Sequence, residues 1–498
     1  MDPYVIGIDL GTGSAKAIAM GHTGVVIETA QVSYPTLHPK QNYQEQAPEM
    51  IWQAFVKCIS RITASLKKSP QAISLSSAMH SVIPVDKNGN ALMNMIIWAD
   101  NRSAANATRI HLSSVSQQIY EQSGAPIHAM TPMCKIQWLK EHEPDLFKKT
   151  SKFISIKEYV WFKLFQVFEV DYSIASATGL MNIEKLSWND PSLEVAGIND
   201  AHLSTLVNTD YTRACTDKSL CNQLGVVEGM PFFIGASDGC LANVGSFATE
   251  EGYMALTIGT SGAVRVARKK PMLNFNAMTF NYRLDEQTYI SGGPTNNGGV
   301  TLKWYAENLL GKKLESAKDY ALLFEALDKS EPGAEGLIFL PYVLGERAPI
   351  WNSDACGSFF GIRGHHQQGH FTRAVIEGIS MAMYDIAHNM TETGLSIKAI
   401  HVSGGFVHSG EWLQILANLF DTKICLINTA DASAIGAALL AMKNLGLIAD
   451  YQSLKPKEVK EFLPQKEHTS AYKELFLRYR SLYEKVAPLM TPGNIIGS

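Results

Sequence analysis

Residues 4–20 read YVIGIDLGTGSAKAIAM, a pattern of strand, glycine-rich turn and strand. The apolar run Tyr4–Ile8 has the length of a strand and ends at Asp9, which is placed to hold a hydrated divalent metal. Glycines let the backbone turn its N–H groups toward an anion, and hydroxyls add donors. The turn supplies Gly11, Thr12, Gly13 and Ser14. The alternative is an ordinary β-hairpin with a surface aspartate.

The same pattern returns about half a chain length later. Residues 253–267 read YMALTIGTSGAVRVA, again a strand, a Gly/Thr turn and a second strand. Thr257 stands where Asp9 stood, so the acidic residue is present in the first copy alone. A repeat of this kind predicts two similar domains that face each other across a cleft and hold opposite ends of one polyphosphate. Gly259 and Thr260 would form the second phosphate site.

The composition is typical of a globular enzyme. The 498 residues carry a net charge of −4 and include 46% hydrophobic residues, without the basic stripe of a nucleic-acid-binding protein. This length exceeds what one core serves, so we expect two large domains. The seven cysteines are scattered and favour a reducing compartment. We see neither a signal-peptide pattern nor an apolar run of about 20 residues, and we expect a cytoplasmic enzyme without nucleic-acid or membrane partners.

A polar cluster is predicted where strands end. Residues 72–77 read as a strand that leads to Met79 and His80, and residues 82–85 and 95–98 read as a hairpin that returns to the same place. This hairpin delivers Trp98, Asp100 and Arg102. Carboxylates accept from hydroxyls, Arg and His donate, and Trp covers a C–H face, so the cluster suits a polyhydroxylated ligand. The alternatives are an ordinary strand-end histidine and a helix cap with a solvated ion pair.

Asp238 marks a second informative junction. Residues 231–234 read as a strand and residues 240–245 as a helix of small residues, so Asp238 stands between them. A helix N-terminus favours a charged carboxylate by about 0.3–1 kcal/mol. We interpret Asp238 as a base that accepts a proton from a hydroxyl during phosphate transfer. The alternative is a helix N-cap.

Two glycine pairs precede predicted helices, where backbone N–H groups can receive phosphate or adenosine. Gly298-Gly299 leads into a helix at residues 301–308, and Gly404-Gly405 follows the strand of residues 399–402. Helices and strands alternate beyond this strand, which is typical of an α/β domain. For Gly298-Gly299 alone, a plain loop is an equally good interpretation.

Two long patterns make the chain resemble a known family. The first is MTPMCKIQWLKEH at residues 130–142. The second comprises Gly357, Phe359, Gly361-Ile362, His370-Phe371, Ala374-Val375-Ile376 and Glu377. Both resemble the FGGY carbohydrate kinases of the actin-like, RNase H-like ATPase superfamily. The resemblance implies an α/β fold of two RNase H-like domains facing across a cleft, at residues 1–246 and 247–498.

The resemblance also implies ATP- and magnesium-dependent phosphorylation of a sugar or sugar-acid hydroxyl. Asp238 matches the family's catalytic base, Asp9 its metal-positioning residue, and Met79 with His80 its sugar-site strand end. The implied phosphate ligands are Gly11, Thr12, Gly13, Ser14, Gly259 and Thr260. The implied adenosine ligands are Gly299, Gly404, Gly405 and Ser409. Lys16 either reaches phosphate or is a solvated strand lysine.

Short motifs within the family favour one substrate. The runs SAMHS (77–81), WADNRS (98–103), SDG (237–239) and RAPIWN (347–352) are most similar to members that convert D-gluconate to 6-phosphogluconate. Xylulose kinases more often carry Met-His-Gly, Trp-Asn-Asp and an Asn after the base, so a pentulose is the alternative. A gluconate carboxylate would need a cation such as Arg102, His80 or Arg347.

Two other functional classes compete with a kinase. A nucleotide-driven switch of the actin type would need neither the polar cluster nor a base at Asp238. A sugar-responsive repressor would need a helix-turn-helix, which does not precede the strand at Tyr4. We therefore expect a kinase with a small-molecule substrate, and we leave a homodimer open.

Overall fold

The computed structural model describes residues 3–391, 394–427, 431–456 and 459–490. The chain divides into two compact α/β units. The first unit comprises Met1–Thr249, Ala267–Ser291 and Asp431–Lys455. The second unit comprises Glu250–Val266, Gly292–Ala430 and Pro456–Ser498.

The secondary structure alternates throughout the described residues. The strands are β1 Tyr4–Leu10, β2 Ser14–Gly21, β3 Val26–Ser33, β4 Glu45–Gln46, β5 Ile73–Ser77, β6 Ile83–Val85, β7 Met95–Ile96, β8 Lys152–Ile154, β9 Glu169–Asp171, β10 Met181–Asn182, β11 Ser187–Trp188, β12 Thr205–Val207, β13 Thr212–Ala214, β14 Pro231–Ser237, β15 Tyr253–Ile258, β16 Gly262–Arg268, β17 Phe280–Arg283, β18 Tyr289–Thr295, β19 Ile338–Leu340, β20 Ser358–Phe360, β21 Ala399–Ser403, β22 Ile424–Leu426 and β23 Lys460–Phe462. The α-helices are α1 Pro48–Leu66, α2 Ala104–His111, α3 Ser116–Ser123, α4 Pro132–His142, α5 Pro144–Lys149, α6 Ile156–Phe165, α7 Tyr172–Ser176, α8 Asp190–Ala196, α9 Lys218–Leu224, α10 Asp238–Gly245, α11 Gly299–Leu309, α12 Ala317–Phe324, α13 Gln368–Thr391, α14 Gly410–Phe420, α15 Ala432–Asn444 and α16 Lys466–Met490. Among the described residues, none of these helices is long and apolar enough to cross a membrane.

The first sheet brings three strand ends to one edge. Its order is β13-β14-β5-β1-β2-β3, with β1 antiparallel to β2, and with β5 parallel to both β1 and β14. Leu10 lies opposite Ser77 in β5, and Ser77 lies opposite Ser237 in β14. The carboxyl ends of β1, β5 and β14 therefore meet at one edge, which carries Asp9 and Asp238. The buried side chains of these strands form one core with the apolar face of α1.

The second sheet repeats this arrangement. Its order is β17-β18-β16-β15-β21-β22-β23. Strand β15 is antiparallel to β16 and parallel to β21, as β1 is to β2 and β5. Thr257 lies opposite Ser403, as Asp9 lies opposite Ser76. The repeated hairpin predicted from the sequence is confirmed.

Helix α15 belongs to the first unit, although it comes late in the sequence. It packs against β1 and α10 so closely that glycines are required at the contact. A Cβ atom at Gly7 would lie 2.0 Å from the carbonyl oxygen of Ala434, and one at Gly436 would lie 1.9 Å from that of Leu241. The first unit is therefore not a continuous segment. The predicted division into residues 1–246 and 247–498 stays a prediction.

The predicted hairpin of residues 82–85 and 95–98 is confirmed in part, since antiparallel bridges join Val82 to Ile96 and Val85 to Ala91, but the regular strand ladders lie elsewhere. Strand β6 pairs with β8, and β7 pairs with β4. The two segments share an isolated bridge between Val82 and Ile96, which still keeps them adjacent. A short apolar strand can pair with several partners, so its tertiary neighbours decide the register.

Candidate active site

Three carboxylates lie near one another in the first unit. The pKa of Asp9 is raised to about 7, first by burial and then by the negative charges of Asp238 and Asp431. A hydrogen bond from Ser76 Oγ to Asp9 Oδ1, 2.6 Å long, and the charge of Lys157 act in the opposite direction. Because a cation would offset the repulsion among these carboxylates, the oxygen-rich donor set suits a hard divalent ion.

Asp238 is the first residue of α10 but not its cap. Ser237 occupies the N-cap position, and its Oγ accepts a hydrogen bond of 3.3 Å from the Cys240 N–H. The Oδ1 of Asp238 accepts from the N–H of Gly239 at 2.7 Å, and the side chain is partly exposed. The N-cap interpretation of Asp238 is therefore wrong, because the preceding serine performs that role.

Hydrogen bonds from the surrounding protein hold the first Gly/Thr turn in place. The Gly11 N–H donates to the Ser14 carbonyl at 3.0 Å and closes the turn. Gln46 Nε2 donates to the Thr12 carbonyl at 2.5 Å, and Trp98 Nε1 donates to Thr12 Oγ1 at 2.8 Å. These bonds fix the backbone of a turn that is predicted to bind phosphate. They also join this turn to the aromatic residue of the predicted sugar site.

Lys16 follows this turn on β2. Its ammonium forms an ion pair with Asp431, and its side chain is about one-third exposed. The sequence left two roles for Lys16, phosphate contact or a solvated lysine. The structure adds a third role, in which Lys16 neutralises the carboxylate of Asp431.

His80 lies in the predicted sugar cluster with its ring bonded inside the first unit. Its backbone has a φ of 66°, a left-handed conformation that is strained for a residue with a Cβ atom. Nδ1 lies 2.9 Å from the Ala177 carbonyl, and Nε2 lies 3.2 Å from the Tyr282 hydroxyl. Met79, the residue before it, lines a small cavity together with Trp98. The structure thus brings the strand end at His80 next to the loop of Trp98.

Asp100 and Arg102 form a buried ion network. Asp100 accepts hydrogen bonds from the Gln44 N–H at 2.7 Å and from Arg102 Nε and Nη2 at 2.9 and 2.8 Å. Arg102 Nη2 also donates to Glu45 at 2.6 Å, and its guanidinium lies 3.8 Å from the ring centre of Tyr43. Both side chains are almost completely buried. Their contact with a sugar stays a prediction.

The second Gly/Thr turn contacts the first residues of α11. The Gly299 N–H donates to the Gly259 carbonyl at 2.7 Å, and the Val300 N–H donates to the Thr260 carbonyl at 3.2 Å. A Cβ atom at Gly298 would lie 2.6 Å from the carbonyl oxygen of Ser261, so the turn and the helix need a glycine at this contact. The two glycine-rich segments therefore lie side by side within the second unit.

A cavity of about 670 Å³ opens beside this contact, and its lining residues all belong to the second unit. This volume falls in the range of small-molecule and cofactor sites. Its lining includes Gly259, Thr260, Gly299 and Gly405 of the predicted nucleotide ligands. The remaining lining residues are Ile258, Val300, Leu302, Lys303, Glu315, Ser316, Tyr320, Ala321, Phe324, Phe406, His408 and Trp412.

Comparison with known proteins assigns the family. Residues 4–245 match the N-terminal domain of the FGGY family of carbohydrate kinases, and residues 254–445 match its C-terminal domain. The chain belongs to the FGGY family. It has the actin-like ATPase fold of the sugar kinases and is a phosphotransferase.

This FGGY kinase resembles proteins named for two different sugars. A gluconokinase from Bacillus licheniformis is 38% identical over 484 residues, which cover 95% of this chain and 94% of that protein. A ligand-bound xylulose kinase from Lactobacillus acidophilus matches with a TM-score of 0.93 and 32% identity, over 97% of this chain and 98% of that one. A gluconate kinase from the same organism matches with a TM-score of 0.92, 32% identity and the same coverage.

Two predicted adenosine ligands of the FGGY kinase lie outside the lining of the cavity. Gly404 has a φ of 112°, and a Cβ atom there would lie 2.2 Å from the carbonyl oxygen of Ile258. Ser409 is buried, and its Oγ accepts from the Trp412 N–H at 3.1 Å as the N-cap of α14. In this structure Gly404 allows close packing and Ser409 caps a helix, and their contact with adenosine stays a prediction.

The aromatic lining of the cavity was missed by the sequence reasoning. Tyr320 and Phe324 come from α12, four residues apart on one helical face. Phe406 and Trp412 come from the segment after β21, with ring centres 5.4 Å apart. The only available signal was the helical spacing of the α12 pair, which is equally typical of a core helix.

A group of possible metal ligands also lies in the second unit of the FGGY kinase. Atoms of Glu335, His365 and His366 come within 4.8 Å of one another. His365 Nε2 lies 3.0 Å from Glu335, and His366 Nδ1 accepts from the Arg363 N–H at 3.1 Å. A neutral imidazole that accepts at Nδ1 carries its proton at Nε2, whereas a metal needs a free lone pair there. His366 Nε2 is buried without a hydrogen-bond partner among the described residues, but its proton leaves no lone pair for a cation, so we assign no metal to the group.

Proposed function

We propose that the protein is a gluconokinase, which transfers the γ-phosphoryl group of ATP to D-gluconate and forms 6-phosphogluconate. The observation that carries this substrate is the 38% identity to the Bacillus licheniformis gluconokinase over 95% of the chain. The four short motifs at residues 77–81, 98–103, 237–239 and 347–352 favour the same substrate. The two solved structures do not separate the substrates, since both are 32% identical.

Asp238 is proposed as the general base. Its carboxylate is partly exposed at the strand edge, and the helix cap is provided by Ser237. The Gly239 N–H donates to one carboxylate oxygen and so orients the carboxylate. A positioned carboxylate of this kind accepts the proton as the phosphoryl group is transferred and orients the attacking oxygen.

A magnesium ion is proposed at Asp9. The raised pKa of Asp9, close to two further carboxylates, supports a cation at this place. Bound magnesium would neutralise charge on the phosphates of ATP during transfer. Asp9 would hold the ion, and Asp238 would lie nearby. Lys16 would neutralise the charge of Asp431 through their ion pair.

The cavity of the second unit is proposed to bind ATP. Its apolar and aromatic lining suits an adenine ring, and the predicted phosphate ligands Gly259 and Thr260 belong to the same lining. Gly299 and Gly405 border the same cavity and allow a close approach of the nucleotide.

The carboxylate of gluconate needs a partner, and Arg102 is a poor candidate. Its guanidinium already donates to two carboxylates, those of Asp100 and Glu45, so the three side chains together do not offer a spare positive charge. Arg347 Nη2 donates to the Thr295 carbonyl at 2.9 Å. We propose that Arg102 orders the loop that carries Trp98, so that Arg102→Ala raises the KM for every accepted sugar rather than that for gluconate alone.

Phosphorylation of xylulose or another pentulose is the alternative within the family. It is supported by the solved xylulose kinase with a TM-score of 0.93. An ADP-release assay with ATP and magnesium over D-gluconate, D-xylulose, L-ribulose, glycerol, L-fuculose and no sugar separates the two. Turnover that is highest with gluconate supports the proposal, and a preference for xylulose contradicts it. ADP release that is independent of every sugar would instead favour a nucleotide-driven switch.

A cytoplasmic location and a homodimer are further proposals. The scattered cysteines support a reducing compartment, and ATP is supplied in the same place. Fractionation of cells with a periplasmic and a cytoplasmic marker, and light scattering of the purified chain, test the two proposals separately.

A further inference from the structure

Lys135 is a buried lysine whose ammonium contacts backbone carbonyls. It lies in the interior of α4 and is 0% exposed. Its Nζ donates to the carbonyl of His80 at 2.6 Å and to the carbonyl of Ile97 at 2.8 Å. Among the described residues, both hydrogen-bond acceptors of Lys135 are carbonyls, and the carboxylate that influences its pKa is Asp100, which is itself paired with Arg102. A charged side chain is rarely buried without an ion-pair partner of its own, so this arrangement calls for an explanation.

The two acceptors of Lys135 belong to the two loops of the predicted sugar site. His80 follows β5 and has the strained left-handed backbone, and Ile97 immediately precedes Trp98. Beyond these acceptors, the segments are joined by antiparallel bridges between Val82 and Ile96, with two backbone hydrogen bonds of 3.0 Å, and between Val85 and Ala91. The Nζ of Lys135 therefore joins two backbone segments whose geometry determines where Met79 and Trp98 lie.

A neutral lysine side chain has as many N–H donors as Lys135 has carbonyl acceptors. A neutral lysine offers two N–H donors, and two carbonyl acceptors are present. Burial lowers the pKa of Lys135 to about 7, so the neutral form is accessible at ordinary pH. Trp98 in turn donates to Thr12 Oγ1, so the bonds of Lys135 extend from α4 through Trp98 to the first Gly/Thr turn.

We propose that Lys135 is a positioning residue, which holds the loops of His80 and Trp98 together so that the sugar site is formed before substrate binds. The inference rests on the proposed function only in requiring a sugar acceptor, not in requiring gluconate. Lys135 does not touch the reacting atoms in this proposal. It acts through the two backbone carbonyls, and the cost of losing it falls on sugar binding.

The test compares Lys135→Met and Lys135→Gln with the wild type in steady-state kinetics. Methionine removes both donors, and we expect the KM for the sugar to rise about tenfold or more while the KM for ATP stays within about twofold. Glutamine retains two N–H donors on a shorter side chain, so its KM for the sugar should lie between those of the wild type and Lys135→Met. The acceptor is whichever sugar of the panel the wild type uses fastest, so failure with gluconate would count against the proposed function alone.

Leu139→Ala is the matched control, because Leu139 is also fully buried in α4 and contacts neither carbonyl through a polar group. It should lower stability without changing the KM for the sugar. Hydrogen exchange of the full-length variants without substrate gives a second readout. Amides of residues 78–82 and 97–103 should exchange faster in Lys135→Met than in Leu139→Ala. The proposal is overturned if Lys135→Met leaves the sugar KM within about twofold of the wild type, if Lys135→Gln is no better than Lys135→Met, or if Leu139→Ala reproduces both effects.

Discussion

Asp238 keeps its carboxylate accessible because Ser237 caps helix α10. The serine hydroxyl accepts from the Cys240 N–H, and Asp238 Oδ1 accepts from the adjacent Gly239 N–H. The strand register then carries Asp238 to the edge where Asp9 ends its own strand. Because Ser237 caps the helix, the proposed base Asp238 and the proposed metal-binding residue Asp9 lie at the same edge of the sheet without either being the N-cap.

We expect Asp238→Asn to lose most turnover and keep ATP binding. Removing a positioned base lowers kcat by about 10²–10⁴-fold, while the cavity of the second unit is unchanged. Asp217→Asn is the control, since Asp217 caps α9 in the same unit and an asparagine caps equally well. The measurements are kcat and the Kd of a nonhydrolysable ATP analogue. Wild-type turnover in Asp238→Asn would rule out the base.

Asp9→Asn should change the response to magnesium. An amide has no charge with which to attract the cation, so the magnesium concentration for half-maximal rate should rise about tenfold or more. Asp86→Asn, in an exposed turn of the same unit, should leave this concentration unchanged. A titration of magnesium at saturating ATP and sugar measures both. An identical magnesium profile in Asp9→Asn would contradict the proposed metal role.

Among the secondary-structure elements, helix α12 lines the cavity that is proposed to bind ATP. Its inner face lines the cavity with Tyr320 and Phe324, while Leu322 on the other face is about half exposed. The helix begins at a capping box, in which Ser316 and Asp319 satisfy each other's backbone N–H groups. A short capped helix thus supplies an aromatic wall that a glycine-rich turn alone could not.

Tyr320→Ala should weaken ATP binding with little effect on the sugar. Loss of a ring contact and of its buried area corresponds to a rise in the KM for ATP of about three- to tenfold. Leu322→Ala removes a side chain of similar apolar character from the exposed face of the same helix and should leave both KM values unchanged. Kinetics with each substrate varied in turn provide the test, and equal KM values for ATP in the two variants would exclude Tyr320 from the site.

At the scale of the whole molecule, the first unit depends on residues from the far end of the sequence. Helix α15 covers β1 and α10 through contacts that leave no room for a Cβ atom at Gly7 or Gly436. The segment Ala267–Ser291 joins the same unit and provides Tyr282, which bonds His80. The first unit therefore requires three separate stretches of chain, and the predicted sugar site draws on two of them.

A chain of residues 1–246 should fail to fold by itself. Without α15, the apolar faces of β1 and α10 would be exposed to water, and without Tyr282 the His80 ring would lose a hydrogen-bond partner. We expect strong binding of a hydrophobic dye and no cooperative urea transition, in contrast to the full chain under the same conditions. A sharp transition monitored by circular dichroism would show that the missing segments are dispensable.

The pH dependence of stability should reveal Lys135. Burial lowers its folded-state pKa to about 7 from 10.5, with Asp100, Arg102 and Cys134 as its charged or titratable neighbours. Between these values the unfolded chain binds the additional proton, so the free energy of unfolding rises with pH across this window and is flat below pH 7. The wild type should gain up to about 1.4 kcal/mol per pH unit over Lys135→Met in this range. Urea unfolding of both proteins at pH 6.5, 8 and 9 measures the difference, and a constant difference would contradict a lowered pKa.

Local sequence patterns were sufficient to predict the features that depend on residues adjacent in the chain. The strand, Gly/Thr turn and strand at residues 4–20, their repeat at 253–267 and the junction at Asp238 all follow from residue period and turn chemistry. The two long patterns at residues 130–142 and 357–377 identified the family. Membership of this family implies phosphotransferase activity, which no single segment of the sequence indicates by itself.

Only the tertiary structure shows which polar side chains already have hydrogen-bond or ion-pair partners, and which distant segments are in contact. It bonded Arg102 to two carboxylates, paired β6 with β8, placed α15 in the first unit and directed Lys135 to the carbonyls of two distant loops. Residue type reports what a side chain can bond, whereas its partner depends on distances between segments that are far apart in sequence. The sequence by itself therefore determined the family, the repeated hairpins and the candidate base, while packing decided which of the remaining polar residues support the site and which are free to act in it.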